Sequence, residues 1–353
     1  MKKNILIALS ITFSFLTKVA ADEISIRIPQ SKCSAVDVRD KNPELKDHFS
    51  RPRDQDSIGW CYGFAAADLM SVEAGEPVSA SHTSMIYNEK VENSTFLKLG
   101  YDIAALFSKN DQFKDVYEGG FVKKAIKATR DKGSVCTEED MPFDGTHNRS
   151  TKEMITRLEK IKRDISKKNL SIDKVCKEIG KFLNKTPEIK LETMELYFIL
   201  EDNNINEALT LIVEKQCGKN QLKLQNYKVK NKHRPTYKVR SRESEKRANE
   251  RFSRNINKYF DLLNSKLDSG KPLAISYNVK HVTNFSGGHA SVVTARRWKN
   301  GVCEYKVRNS WGRGCGAYSQ SKIRDCDAEE GSFWVTGEKF YEMVDTLTYI
   351  RGK

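Results

Sequence analysis

The pattern of apolar and polar positions divides the chain into a helix-rich first part and a strand-rich last part. The run that follows Cys61 is rich in alanine, lacks proline and favours a helix that begins near the cysteine. After Gly119 and Gly120, apolar residues recur at helical spacing: Phe121, Val122, Ala125, Ile126 and Ala128. These patterns predict one helix that begins near Cys61 and another that follows the paired glycines.

From about residue 271 to the end, the pattern changes to strands. Four segments rich in Val, Ile, Tyr, Phe and Trp lie between Gly and Asn residues: LAISYNV, ASVVTARRW, CEYKVRNS and GSFWVT. This part of the chain is predicted to form strands.

Between these two blocks lies a segment of about 144–268 with two different compositions. Its first part has two apolar stripes typical of packed helices: Met154, Ile155, Leu158, Ile161, and then Val175, Ile179, Phe182, Leu183. Its second part, about 221–258, is polar and dense in Lys and Arg. The segment contains 29 basic and 18 acidic residues, so +11 of the net charge of +14 lies here.

Three interpretations of this basic excess remain open. It is a solvated, disordered loop, or it binds an anionic surface such as lipid headgroups, envelope polysaccharide or nucleic acid, or it either occludes a cleft or contains a site that is cut on activation. The densest stretch, 228–258, has twelve Lys or Arg against three Glu. Aromatic residues are few, with Tyr227, Tyr237 and Phe252, which argues against specific nucleic acid recognition by base stacking.

The first residues have the pattern of a signal peptide, residues 1–21. Lys2 and Lys3 precede an apolar core from Ile5 to Leu16, and Val19-Ala20-Ala21 resembles a cleavage site. We expect an exported protein, periplasmic or extracellular, whose mature chain begins at Asp22. No other window approaches 18 consecutive apolar residues, so no membrane anchor is expected.

The eight cysteines fit an exported chain with disulfide bonds. If Cys61 is a free thiol, seven remain, so at most three bridges form and one further thiol stays free or pairs outside the chain. We predict that Cys176 bonds Cys217 and that Cys315 bonds Cys326. No CxxC or HxxxH spacing is present, so neither a metal site nor another cofactor is predicted.

Candidate chemistry centres on the stretch DQDSIGWCYGFAAADL, in which Gln55 lies six residues before Cys61. A thiol at a helix N-terminus meets unpaired N–H groups and the positive end of the dipole, and both favour the thiolate. A nucleophile needs a base and a group that orients the base. His289 in GGHASVVTA and Asn309 in VRNSWGRG provide residues of both types.

These residues, in this order, resemble the papain-like cysteine peptidases. The resemblance runs through Gln55, Cys61, Gly119-Gly120, His289 and Asn309-Ser310-Trp311-Gly312. It implies that Cys61 is the nucleophile, His289 the general base and acid, and Asn309 the acceptor of a ring N–H. Trp311 would shield that hydrogen bond, and Gln55 would donate to the oxyanion with the backbone N–H of Cys61. Gly119 and Gly120 would form the open edge where an extended substrate binds.

Two departures from the family pattern are visible. The signature C-G-[SA]-C-[WY] reads IGWCY here, so Ile58 stands where a structural cysteine is common and Trp60 where a small residue is usual. Cys61 and His289 are also 228 positions apart, against about 130–150 in the family pattern, which indicates an insertion.

The resemblance covers about 36–143, which would form the helical half with VDVRD at its entry and CTEEDMPF at its exit, and about 271 to the end, which would form the antiparallel β half. The fold that it implies is α+β, with a helical lobe and an antiparallel β-barrel-like lobe, plus a mainly helical, basic insertion. The predicted organisation is a signal peptide at 1–21, the helical lobe at 22–143, the insertion at 144–268 and the β lobe at 269–353. Only about fourteen residues separate Asp22 from Val36, so the long inhibitory pro-segment common in the family does not fit.

The predicted activity is hydrolysis of peptide bonds in a protein or peptide substrate through a Cys-His-Asn thioester mechanism. One alternative is a catalytically silent binding module that uses the basic insertion to hold an anionic partner. A second alternative keeps the nucleophile but transfers the acyl group to an amine, as a transpeptidase or amidase does. Nothing in the sequence indicates the oligomeric state.

Overall fold

The computed structural model describes residues 26–95, 98, 116–141, 151–167, 170–186, 189–224 and 227–351. The predicted signal peptide and the predicted boundary between residues 143 and 144 lie outside these residues. Within the described part of the chain, no helix combines the length and apolarity that a bilayer crossing requires.

The helical half is built around a buried helix that begins at Cys61. This helix, α3 (Cys61–Ala74), is buried continuously from Tyr62 to Ser71 and ends at Gly75, whose positive φ of 75° closes the helix. The predicted helix start at Cys61 is thus confirmed. The other helices and strands that the structure describes in this half are β1 (Val36–Asp37), α1 (Val38–Lys41), α2 (Lys46–Ser50), α4 (Ala80–Glu92), α5 (Val122–Lys132) and β2 (Ser134–Val135).

The apolar stripe of α5 faces α3 and α4, as the helical spacing predicts. Val122, Ala125, Ile126 and Ala128 are buried, but Phe121 precedes the helix and is 62% exposed. The segment VDVRD belongs only in part to the helical half. Its first two residues form β1, which pairs with a strand of the β half.

Four further helices continue the helical core: α6 (Thr151–Ser166), α7 (Ile172–Leu183), α8 (Thr193–Asp202) and α9 (Ile205–Cys217). Both predicted stripes face inward, with only Leu183 partly buried. Because α9 packs against α4, these helices share one hydrophobic core with α3. The short strand β3 (Leu222–Lys223) then pairs with β2.

The β half contains an eight-stranded antiparallel sheet and two helices. Its strands follow the order β4-β10-β5-β6-β7-β9-β8, and β1 pairs with β6. The helices α10 (Glu245–Asp268) and α11 (Gly337–Met343) pack in its core. The remaining strands are β4 (Lys228–His233), β5 (Leu273–Asn278), β6 (Gly288–Lys299), β7 (Val302–Arg308), β8 (Asp325–Asp327), β9 (Ser332–Thr336) and β10 (Val344–Arg351). The predicted α+β fold, with a helical half and an antiparallel β half, is confirmed.

The basic stretch from Lys228 to Lys258 is folded into the β half. Strand β4 pairs with β10 at the edge of the sheet, and α10 buries an apolar face that includes Phe252 and Ile256. This differs from the interpretation of the stretch as a solvated, disordered loop. The charges lie on ordered elements whose opposite faces belong to the core.

Three disulfides join Cys33 to Cys303, Cys136 to Cys217 and Cys315 to Cys326. The predicted Cys315–Cys326 bond is confirmed, as is the limit of three bridges with one further free thiol. The predicted Cys176–Cys217 bond is wrong. Packing of α9 against α4 carries Cys217 to Cys136, whereas Cys176 on α7 meets Met194, with 3.6 Å between the two sulfurs.

We expect the Cys136–Cys217 bond to stabilise the fold more than the Cys315–Cys326 bond. The sequence separations are 81 and 11 residues, and loop-closure entropy then gives about 4.5 and about 2.8 kcal/mol. Urea unfolding of the two double alanine variants measures the difference. Cys176→Ser is the control, since it removes a thiol without removing a bridge. A larger loss for the Cys315–Cys326 pair would contradict the prediction.

Candidate active site

Cys61 is the first residue of α3, where this helix meets the sheet. The helix packs against β5 and β6, and the backbone N–H of Ala290 in β6 lies close enough to Cys61 to favour its thiolate. Its thiol is partly buried and forms no disulfide. The candidate nucleophile therefore lies beside the residue that follows His289.

His289 is held by Asn309, which follows the end of β7. The ring Nε2 of His289 lies 2.6 Å from Asn309 Oδ1. The same oxygen accepts hydrogen bonds from the Ser291 hydroxyl at 3.0 Å and the Ser310 backbone N–H at 2.9 Å. Since an amide oxygen only accepts, Nε2 carries the hydrogen. In the neutral imidazole, Nδ1 is then the nitrogen able to accept a proton.

Aromatic rings enclose the His289–Asn309 pair. The Trp311 ring centroid is 4.7 Å from that of His289, and the Tyr277 ring meets the imidazole edge-on at 5.6 Å. Asn309 donates from Nδ2 to the Tyr318 hydroxyl at 2.8 Å, and Tyr318 stacks on Trp311. Trp311 therefore occupies the position in which it would exclude water from the pair.

Gln55 is held by two hydrogen bonds to Ser310, which follows the end of β7, and by one hydrogen bond within its own loop. Residues 53–55 run antiparallel to 310–312, and the Gln55 backbone N–H donates to the Ser310 carbonyl at 2.9 Å. The Ser310 hydroxyl donates to Gln55 Oε1 at 2.6 Å, and Gln55 Nε2 donates to the Ile58 carbonyl at 2.7 Å. The second N–H of the amide has no partner among the described residues.

Gly119 and Gly120 lie against the loop that precedes Cys61. The Gly119 N–H donates to the Gly59 carbonyl at 2.7 Å, and its φ of 79° favours glycine. A Cβ on Gly120 would lie 2.7 Å from the Tyr62 ring. Trp60 Nε1 also donates to the Tyr117 carbonyl at 3.1 Å. These contacts, with the buried Ile58, brace the loop where the family signature has a cysteine.

Burial determines the charge state of the two central groups. Desolvation raises the pKa of the Cys61 thiol to about 11, although backbone N–H groups of Ala290, Tyr62 and Cys61 act in the opposite direction. Desolvation lowers the pKa of His289 to about 4, against the hydrogen bond to Asn309. The N–H groups at the helix N-terminus favour the thiolate, as expected, but burial outweighs them. Both groups are neutral between these two values.

A buried ionic network, not foreseen from the sequence, lies below these residues. Asp68 of α3 accepts hydrogen bonds from Arg308, the residue before Asn309, and from Arg53 at 2.7 Å. Arg53 also donates to Glu138 at 2.7 Å, so two cations balance two anions. His48 lies 3.0 Å from Asp68, and burial lowers its pKa to about 4, so it is neutral at pH 7.

One signal of this network is present in the sequence. Asp68 stands inside the apolar run FAAADLM, and Arg308 ends the predicted strand segment CEYKVR. A charge within an otherwise buried pattern indicates a buried partner. The partner itself is not predictable, because 240 positions separate these two residues.

All of the predicted site residues thus meet where the helical half contacts the sheet. The structure connects Cys61, His289, Asn309, Gln55, Trp311 and the paired glycines through direct contacts or through adjacent residues. Their chemical roles remain predictions.

Comparison with known proteins gives likeness in fold only. No family model and no curated protein matches the chain. Similar solved structures include one from a study of the mite allergens Blo t 1 and Der p 1, with 13% identity, coverage of 94% of this chain and 74% of that chain, and a TM-score of 0.42. SERA5E from Plasmodium falciparum has 11% identity, coverage of 93% and 98%, and a TM-score of 0.44. Digestive procathepsin L 3 from Tenebrio molitor larval midgut has 11% identity, coverage of 92% and 74%, and a TM-score of 0.41. At these values the likeness carries no conclusion about activity.

We expect Asp68→Asn to destabilise the protein by about 3–5 kcal/mol, because it leaves Arg53 and Arg308 buried with an uncompensated charge. Urea unfolding at pH 7 measures the loss. The matched control is Asp345→Asn, which removes a carboxylate that is exposed and 3.5 Å from Arg234. That exposed pair should contribute at most about 1 kcal/mol. Equal effects of the two substitutions would show that the network does not carry the predicted stability.

Proposed function

We propose that the protein is a cysteine peptidase in which Cys61 attacks the carbonyl carbon of a peptide bond. The observation that carries the proposal is the His289–Asn309 hydrogen bond. It places the Nε2 hydrogen on the Asn309 side of the ring and leaves Nδ1 as the base, while Cys61 lies close to Ala290, the residue after His289. A protein or peptide is the proposed substrate.

The proposed reaction moves one proton between sulfur, imidazole and amine. As the S–C bond forms, the thiol proton passes to His289 Nδ1, and the carbonyl oxygen becomes an oxyanion. The C–N bond then breaks, the leaving amine takes the proton from the imidazolium, and a thioester remains. Water, deprotonated by His289, hydrolyses this thioester and restores the thiol.

Gln55 is the proposed side-chain donor to the oxyanion. Its Oε1 is fixed by Ser310 and one of its N–H groups by Ile58, so the amide plane is set before substrate binds. A preorganised donor of this kind acts mainly in the transition state. The backbone N–H of Cys61 would be the second donor.

One observation favours the catalytically silent binding module. Burial raises the pKa of the Cys61 thiol to about 11, and buried thiols with raised pKa values are commonly inert. The silent module predicts that Cys61 is unreactive, whereas the peptidase predicts a thiol activated by its neighbour His289. Transfer of the acyl group to an amine would use the same residues, and addition of an amine acceptor to the assay distinguishes it from hydrolysis.

We also propose that the protein acts outside the cytosol, in the periplasm or beyond the cell. The three disulfides support this location, since such bonds persist in oxidising compartments. The basic stretch 228–258 is proposed to hold the enzyme near an anionic surface.

We expect Cys61→Ala to abolish both labelling by a peptide epoxide and hydrolysis of casein while the fold stays intact. Cys176→Ser, which removes the other free thiol, should keep both activities. Mass spectrometry locates the label, and circular dichroism checks the fold. In the Cys176→Ser background, labelling should persist from pH 7 to about pH 4 and fall below it, where His289 becomes protonated. Full proteolysis by Cys61→Ala would rule out the proposed nucleophile.

We expect Gln55→Ala to lower kcat by about 100 to 1,000-fold with little change in KM, because an oxyanion donor stabilises the transition state. Steady-state kinetics on a short peptide measure both constants. Ser310→Ala, which leaves the amide in place but removes the hydrogen bond to Oε1, should have a smaller effect of the same kind. A change confined to KM would make Gln55 a substrate contact instead.

A further inference from the structure

We propose that residues 236–247, here called the basic face, dock the enzyme on an anionic lipid surface. This inference rests on the proposed function, in which the protein is an exported enzyme, and it names an anionic lipid surface as the partner of the basic stretch. The basic face joins β4 to α10, and all of its residues except Glu243 are exposed.

The basic face contains a turn that the Glu243–Arg251 salt bridge attaches to α10. Glu243 accepts hydrogen bonds from the Arg251 guanidinium at 2.9 and 2.8 Å and from the Arg240 backbone N–H at 3.0 Å. The Glu243 N–H donates back to the Arg240 carbonyl at 3.0 Å, and Arg242 adopts a positive φ of 63°. The salt bridge to Arg251 holds the pKa of Glu243 at about 2, so its charge is already matched within the turn.

Five cations of the basic face are available to a partner. They are exposed, and none of them forms an ion pair with any other residue that the structure describes: Lys238, Arg240, Arg242, Lys246 and Arg247. Arg234 and Arg251, by contrast, have carboxylate partners in Asp345 and Glu243. Cations that point to solvent without a partner complement the charge of an anionic surface.

Two exposed apolar side chains lie among these cations and decide between kinds of anionic partner. Tyr237 is 38% and Val239 is 45% exposed, and they alternate with Lys238 and Arg240 along the chain. The Tyr237 ring is supported from behind by Phe252, at 5.6 Å between centroids. A polysaccharide or nucleic acid backbone gains nothing from an exposed valine. A bilayer interface accepts both apolar side chains and nearby cations.

The same segment must be tested by substitution because deletion would damage the fold. Removing 228–258 would delete β4 and the first half of α10, including the buried residues Phe252 and Ile256. Replacement of exposed cations by glutamine changes charge and leaves these contacts in place.

The experiment measures cosedimentation of the protein with vesicles of phosphatidylcholine alone or with about one third phosphatidylglycerol. Binding to the anionic vesicles is expected, with none to the neutral ones. The face variant carries Arg240→Gln, Arg242→Gln, Lys246→Gln and Arg247→Gln and should bind at least tenfold more weakly. The matched control removes four exposed cations elsewhere, Lys167, Lys174, Lys177 and Lys219, and should bind like the unmodified protein. Thermal unfolding checks that both variants fold.

A third variant, Tyr237→Ser with Val239→Ser, separates lipid from other polyanions. It should lose affinity for anionic vesicles while retention on heparin stays unchanged. Equal weakening by the control variant, or heparin binding without vesicle binding, would overturn the proposal. Peptide turnover should be unchanged in all three variants. A several-fold rise in turnover for the face variant would overturn the docking proposal and indicate that the segment covers the cleft. Absence of turnover in the unmodified protein would count against the proposed peptidase activity and not against docking.

Discussion

The buried carboxylate of Asp68 is the constraint on which the arrangement of the site depends. It lies two turns below Cys61 on α3 and accepts from Arg308, which precedes Asn309, and from Arg53, two residues before Gln55. One anion thus connects the three backbone segments that carry Cys61, Asn309 and Gln55, the residues proposed as nucleophile, imidazole partner and oxyanion donor. Unpaired charge in this interior is costly, so the helix and the strand cannot separate without exposing or stranding a charge.

The elements that the sequence predicts well are those whose signals are local. The helix at Cys61 is predicted by its alanine content, and the strands after residue 271 by β-favouring segments that lie between Gly and Asn residues. The Cys315–Cys326 bond is predicted because a short loop joins the two cysteines. The residues of the candidate site are found by type and order. What escapes prediction depends on distant packing: the Asp68–Arg308 pair, the strand pairing of β1 with β6, and Cys217 meeting Cys136 instead of Cys176.

The basic stretch shows why composition alone is a weak guide to order. The many charged residues obscure the helical spacing of the apolar residues in α10. These apolar residues are buried on one face of the helix: Phe252, Ile256, Tyr259, Phe260, Leu263 and Leu267. The cations occupy the opposite face and the turn before it. A segment can therefore be part of the core and also carry much of the charge, because an amphipathic helix has its apolar residues on one face and its charged residues on the other.

Burial of Cys61 and His289 has opposite effects before and during the proposed reaction. In the resting site it disfavours both the thiolate and the imidazolium, so the thiol and the imidazole are both neutral. Once a substrate carbonyl is attacked, the negative charge moves to the oxyanion, beside the N–H groups of Gln55 and Cys61. In a dry site those hydrogen bonds are stronger than in water, and the Asn309 oxygen faces the imidazolium that forms. The energetic cost of separating charge in the resting pair is therefore offset only when a substrate provides the oxyanion.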